Sequence, residues 1–170
     1  DISVLAQGNN PDKDSYTITL EAQGDLVAIK LSSLRHDSMT NGGFARSDSG
    51  DFVLTDIKIK LLREETANRL NITMGEASFE KKGFNIEYAF DDKLNTGWSV
   101  YDKGDFSKDQ QAIFYLDKKY KIRNGDQLEI TMAYHSKHER HNSGHFNFQG
   151  LSEIPPILKE QRGLFILPEK

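Results

Sequence analysis

The chain contains no cysteine. Disulfides, thiolate zinc sites, cysteine nucleophiles and c-type haem attachment are therefore excluded within its 170 residues. The compartment stays open, because many bacterial secreted domains also lack cysteine. No apolar run reaches the about 18 residues of a membrane-spanning helix. Basic charge is not in surplus: 22 Lys and Arg face 26 Asp and Glu, a net charge of −4. That argues against a general nucleic-acid binder, which is normally basic, and leaves room for a local basic patch. The N-terminal DISVLAQG has neither a basic n-region nor a long apolar h-region, so it reads as a chain without signal peptide or as a mature or excised piece. Catalytic motifs are scarce too. There is no Gly-x-Ser-x-Gly elbow, no P-loop Gly-Lys-Ser/Thr and no His-Glu-x-x-His.

What is present is period-two alternation. Tyr16-Thr17-Ile18-Thr19-Leu20 alternates, and Leu26 to Leu31 does so more loosely. Val53, Thr55, Ile57, Ile59 and Leu61 share one parity, which predicts a long half-buried strand. Gln111 to Leu116 reads as a central strand, and Leu128, Ile130, Met132 and Tyr134 alternate again, as does His145 to Gln149. Turn sequences at Asn10-Pro11-Asp12, Gln23-Gly24-Asp25 and Arg123-Asn124-Gly125-Asp126 punctuate the pattern. Helical signals are weak: REETANRL at 63–70 is expected as a short exposed helix or turn, and a second short helix near 156–162. The expected fold is all-β, an antiparallel β-sandwich of jelly-roll type with eight or nine strands. The sandwich is expected over 1–155, with 156–170 as a C-terminal tail or the start of a linker. The tail's Leu164-Phe165-Ile166-Leu167 is apolar enough to pack back or to begin another domain.

Three long polar loops, 32–51, 90–110 and 134–145, are the places to look for function. In EYAFDDKLNTGW, residues 87–98, Asp91, Asn95 and Thr96 offer hard oxygen donors that suit calcium. Lys93 and Thr96 stand where an EF-hand needs a donor and a glycine, so that motif is excluded. The same residues equally make an Asx turn capped by Thr96, with Trp98 entering the core. YHSKHERHNSGH, residues 134–145, holds His135, His138, His141 and His145, which read as a solvated loop, a glycan- or anion-contacting loop, or metal ligands. In 35–52, Arg35 and Arg46 are able to hold a sulfate or carboxylate, or Arg46 to pair locally with Asp48 or Asp51.

Ala89-Phe90-Asp91-Asp92-Lys93-Leu94-Asn95-Thr96-Gly97-Trp98 is similar to the A-x-D-G-x-x-x-T-x-W signature of galactose-binding-like β-sandwiches, the discoidin or coagulation-factor type C superfamily, with Asp92 in place of glycine. A longer resemblance, across about residues 3 to 152, is to the module of planctomycete-type cytochrome-c-associated multidomain bacterial proteins. Tyr16-Thr17-Ile18-Thr19, Gly42-Gly43-Phe44-Ala45-Arg46-Ser47, Gly50-Asp51-Phe52-Val53-Leu54-Thr55, Ala77-Ser78-Phe79, Thr96-Gly97-Trp98 and Gly144 to Phe148 carry it in order. His145 and Asn147 stand where that module has arginines.

The resemblance implies a non-catalytic carbohydrate-binding module of a larger secreted, periplasmic or cell-surface bacterial protein, monomeric and linked to other domains of its parent. It implies one structural calcium held by Asp91 and Thr96, with the carbonyls of Tyr88 and Lys93 and, further off, Glu153. It implies that Trp98 packs beneath its loop and is not a sugar platform. The expected partner is a polysaccharide or oligosaccharide, with no nucleic acid and no membrane, and the clustered Arg and His would suit an anionic or sulfated one. The expected contacts are Arg46, Tyr101, His135, His138, Arg140 and His141. The rival expectations are a structural or protein-interaction domain and a jelly-roll glycan lyase or hydrolase.

Overall fold

In the computed structural model, which describes residues 3–155, two antiparallel sheets pack face to face as a β-sandwich. The strands are β1 (Val4–Leu5), β2 (Asp14–Glu21), β3 (Gly24–Ser33), β4 (Asp56–Arg63), β5 (Thr66–Leu70), β6 (Ile72–Ala77), β7 (Gln110–Ile122), β8 (Gln127–Tyr134) and β9 (His145–Leu151). One sheet runs β1-β9-β3-β7-β6 and the other β2-β8-β4-β5. The helix and tail expected at 156–170 lie outside the described residues. Among the described residues no helix is long and apolar enough to cross a membrane.

The alternation explains the packing, since successive strand residues point to opposite faces. Tyr16, Ile18 and Leu20 turn inward while Thr17 and Thr19 stay exposed. Ile57, Ile59 and Leu61 do the same from β4, and Leu128, Ile130 and Met132 from β8. Ile29, Leu31, Ala112, Phe114 and Leu116 answer from the other sheet. β7 is apolar without alternation because its second face is covered as well, with Ile113 and Tyr115 joining Ala28 in a smaller cluster.

Two expectations need correction. The 63–70 segment is neither helix nor isolated turn. It turns at Glu64–Glu65, with Glu64 at φ +52°, and its residues from Thr66 pair back on β4 as edge strand β5. Helix-tolerant residues there are overridden by pairing with the sheet, and only Leu70 of β5 is buried. Second, the ladder of β4 begins at Asp56, not Val53. Val53 and Leu54 instead tie loops together, as described below, while Thr55 donates from its amide and hydroxyl to the Ala133 carbonyl of β8.

At the end of the sandwich formed by the β2–β3 and β7–β8 turns, the Asp126 carboxylate receives Arg63 Nε at 3.0 and 3.1 Å, Arg63 Nη2 at 2.6 Å and the Arg123 amide at 2.7 Å. These donors, Arg63 first, lower its pKa from 3.8 to about 2. A depressed carboxylate stabilises the fold above its unfolded pKa and ceases to as pH falls through the folded one. Asp126→Asn is therefore expected to lower Tm at neutral pH, with the gap to wild type closing as pH drops from about 4 to about 2. Thermal melts across that range check it. A gap unchanged with pH would show that the ion pair is not the cause.

Candidate functional site

Three long loops meet at the opposite end. The first runs from β3 to β4, the second from β6 to β7 and the third from β8 to β9. Leu54 and Trp98 exchange backbone hydrogen bonds of 2.9 Å, joining the first loop to the second. The Val53 amide donates to the His141 carbonyl at 3.0 Å, joining the first to the third. The Gly144 amide donates to the Phe44 carbonyl at 2.7 Å in the same sense. Gly97 permits this approach: a Cβ there would lie 2.6 Å from Val53 Cγ1 and 2.9 Å from the Leu54 carbonyl oxygen. Trp98 is fully buried beneath, edge-on to Phe52 with ring centres 5.2 Å apart, and its indole N–H donates to the Phe79 carbonyl at 3.0 Å.

Above this junction lie two adjoining pockets. The larger, ≈ 640 Å³, is lined by Thr40, Arg46, Asp48, Lys137, Arg140 and their neighbours, and the smaller, ≈ 170 Å³, by Ser49, Asp51, Lys81, Phe84, Ser99 and Tyr101 among others. His138 and His141 line both. Five of the six expected contacts, Arg46, Tyr101, His138, Arg140 and His141, thus come together. His135 does not join them: its ring bonds Ser15 Oγ on β2 at 2.9 Å. His145 is apart too, 5.2 Å from the His36 ring and 3.0 Å from Ser3 Oγ. The four-histidine loop therefore divides between different neighbours.

Several of these side chains are held by specific contacts. Arg46 donates to the carbonyls of Gly8 and Asn9, and does not pair with Asp48 or Asp51 as the sequence allowed. Arg140, at φ +61°, donates from its amide to the Asp12 carbonyl at 2.9 Å and from Nε to the Asp12 carboxylate at 3.3 Å. His141 Nδ1 lies 2.8 Å from the Glu139 carbonyl oxygen, which can only accept, so Nδ1 carries the proton. In the neutral ring Nε2 then accepts from Ser49 Oγ at 3.1 Å. Burial, helped by His141, Lys137 and Lys81, holds the His138 imidazole below its usual value against the pull of Asp48. Lys81 Nζ sits 4.9 Å from the Phe84 ring centre and 5.3 Å from that of Tyr101. Phe84, His138 and His141 continue the wall, with centres 5.8 and 5.5 Å apart.

Asp51 is only 2% exposed. One carboxylate oxygen, Oδ2, accepts from the Ser99 hydroxyl, and Oδ1 has no hydrogen-bond partner. Burial pushes its pKa up, while Ser99, the Phe52 amide, His141 and the Val100 amide favour the charged form. An unsatisfied buried acceptor costs about 1–3 kcal/mol, so its retention asks for a reason. Sequence reading missed this role for Asp51, and missed Ser49, Lys81, Phe84, Ser99 and Lys137 altogether. The one available signal was an acid directly before the apolar Phe52-Val53-Leu54.

The Asp91 loop lies elsewhere. Asp91 Oδ1 accepts the Lys93 amide at 3.0 Å, and Thr96 Oγ1 approaches Asp91 Oδ1 and Oδ2 at 3.0 and 2.8 Å and the Lys93 carbonyl oxygen at 3.2 Å. Tyr88 belongs to the 3-10 turn Ile86–Ala89 just before it. Ile86 and Phe90 pack on Gly75 of β6, and Arg69 of β5 reaches Asp92 at 3.4 Å. Glu153 follows β9, which β3 and β7 separate from β6, so the fold does not bring it to Asp91. Among the described residues no group of three His, Cys, Asp or Glu is placed to hold a metal.

A third depression, ≈ 330 Å³ between residues 21–23 and 124–127, has no aromatic wall and contains the already satisfied Asp126. Fold and site together define a β-sandwich that carries a loop-built cleft of rings and cations at one end. No family model, curated protein or solved structure matches the chain.

Proposed function

We propose that the chain is a non-catalytic carbohydrate-binding module of a larger secreted bacterial protein, and that it takes an anionic polysaccharide in the cleft shared by His138 and His141. The observation that carries this reading is the composition of that cleft. Rings of Tyr101, Phe84, His138 and His141 line the small pocket, and Arg46, Lys137 and Arg140 line the large one. Sugars stack on rings and hydrogen bond to fixed polar groups, and sulfate or carboxylate groups pair with guanidinium and ammonium groups. An open cleft also favours ligand binding over a purely structural domain. The experiment is affinity electrophoresis through gels containing fucoidan, carrageenan or neutral laminarin. Retardation by the sulfated polymers that weakens as salt rises is expected. Absence of retardation on every polymer would overturn the reading.

The Asp91 turn is proposed as a calcium loop. Its support is that the Asp91 carboxylate and the Lys93 carbonyl oxygen both lie within 3.2 Å of Thr96 Oγ1. Tyr88 would add a carbonyl from the preceding turn, and Glu153 takes no part. The ion would stiffen the loop without touching the cleft. With one carboxylate the affinity expected is weak, of order 10⁻⁴–10⁻³ M. Added millimolar calcium should raise Tm and chelator reverse it. A Tm indifferent to both would leave the turn as a metal-free Asx turn.

A further inference from the structure

We propose that the smaller pocket is a single-sugar subsite in which one sugar hydroxyl donates its hydrogen bond to Asp51 Oδ1. This deepens the carbohydrate reading and rests on it. The pocket's ≈ 170 Å³ is below the about 300 Å³ at which pockets for drug-sized ligands begin, which suits one sugar ring and not a length of chain. Its floor includes a carboxylate 2% exposed, with one oxygen held by Ser99 and the other without a partner. A buried acceptor of this kind selects for a donor and rejects an analogue that lacks one, because the rejected ligand would leave it unpaired. Phe84 and Tyr101 supply apolar ring surface beside it, and the Lys81 ammonium between them is a donor for the ring's other oxygens. The division of labour follows from the lining. The small pocket reads the hydroxyls of one unit, and the larger one receives the charged substituents of its neighbours beside Arg46, Lys137 and Arg140.

Asp51→Asn separates this role from a structural one. Asparagine keeps an oxygen for the Ser99 hydroxyl and nearly the same volume, but replaces the open acceptor with an N–H₂ donor. The probes are fucoidan and κ-carrageenan in affinity gels, with thermal melting of each variant alongside. The expected result is an affinity at least tenfold weaker with a melting temperature equal to or above wild type. Should Asp51→Asn melt early, Tyr101→Ala on the pocket wall carries the test with the same expected loss. Wild-type retardation of Asp51→Asn, or of Tyr101→Ala where that variant carries the test, overturns the subsite and leaves the carbohydrate reading standing. A wild-type protein retarded by neither polymer nor by laminarin overturns both.

Discussion

Trp98→Ala should destabilise the fold by about 3–5 kcal/mol, the usual loss for deleting a large buried aromatic ring. At this chain length that lowers Tm by roughly 6–20 °C. Trp98 is fully buried, packs edge-on to Phe52, and donates to the Phe79 carbonyl. Its backbone also holds Leu54 through the paired bonds that join two of the three site loops. The substitution therefore opens a cavity, orphans a carbonyl and loosens the cleft together. Trp98→Phe should cost less, because it keeps most of the ring and loses mainly the N–H bond. Urea unfolding of both variants measures the difference. A Trp98→Ala protein within 1 kcal/mol of wild type, on the order of a surface substitution, would contradict the packing described.

Gly50→Ala should cost about 2–5 kcal/mol. Gly50 has φ +77°, and a Cβ there would lie 2.5 Å from the Thr40 carbonyl oxygen and 2.9 Å from the Phe106 ring. The left-handed backbone alone costs a non-glycine residue roughly 1–2 kcal/mol, and overpacking adds about 1–3. Gly104 provides the control, since its φ of +83° is similar and nothing lies within 4 Å of the added carbon. Gly104→Ala should show the backbone cost alone. Because the Gly50 carbonyl receives the Phe44 and Ala45 amides next to the Ser47–Asp51 turn, the Gly50 variant should also lose polysaccharide binding. Equal melting temperatures for the two glycine variants would contradict the close approach at Gly50.

The strands were legible where one face is wet. In β2, β4 and β8 the alternation of Tyr16-Ile18-Leu20, Ile57-Ile59-Leu61 and Leu128-Ile130-Met132 translates directly into burial. β5 was not legible, because Thr66-Ala67-Asn68-Arg69 is exposed on both faces and carries no period. β1 has two residues, and β6 is broken by Gly75, which yields its side-chain space to Ile86 and Phe90. The site was half legible. Arg and His on long polar loops drew attention to Arg46, His138, Arg140 and His141 by residue type alone. Their partners could not be found that way. Ser49 meets His141 across 92 residues and Ser99 meets Asp51 across 48, and a single sequence carries no record of which loops touch. For the same reason His135 and His145 looked equivalent to His138 and His141, although the pairings of β2 with β8 and β9 with β1 carry them to other neighbours.

Affinity electrophoresis of the wild-type chain beside His141→Ala, through gels with and without fucoidan, tests the shared cleft most directly. His141 lines both pockets and lies half-buried at their boundary, so its removal touches both subsites. Marked retardation of the wild type, about tenfold weaker in His141→Ala at an unchanged melting temperature, is the predicted result. Free migration of the wild type, or equal retardation of the two proteins, would contradict a polysaccharide site at His138 and His141.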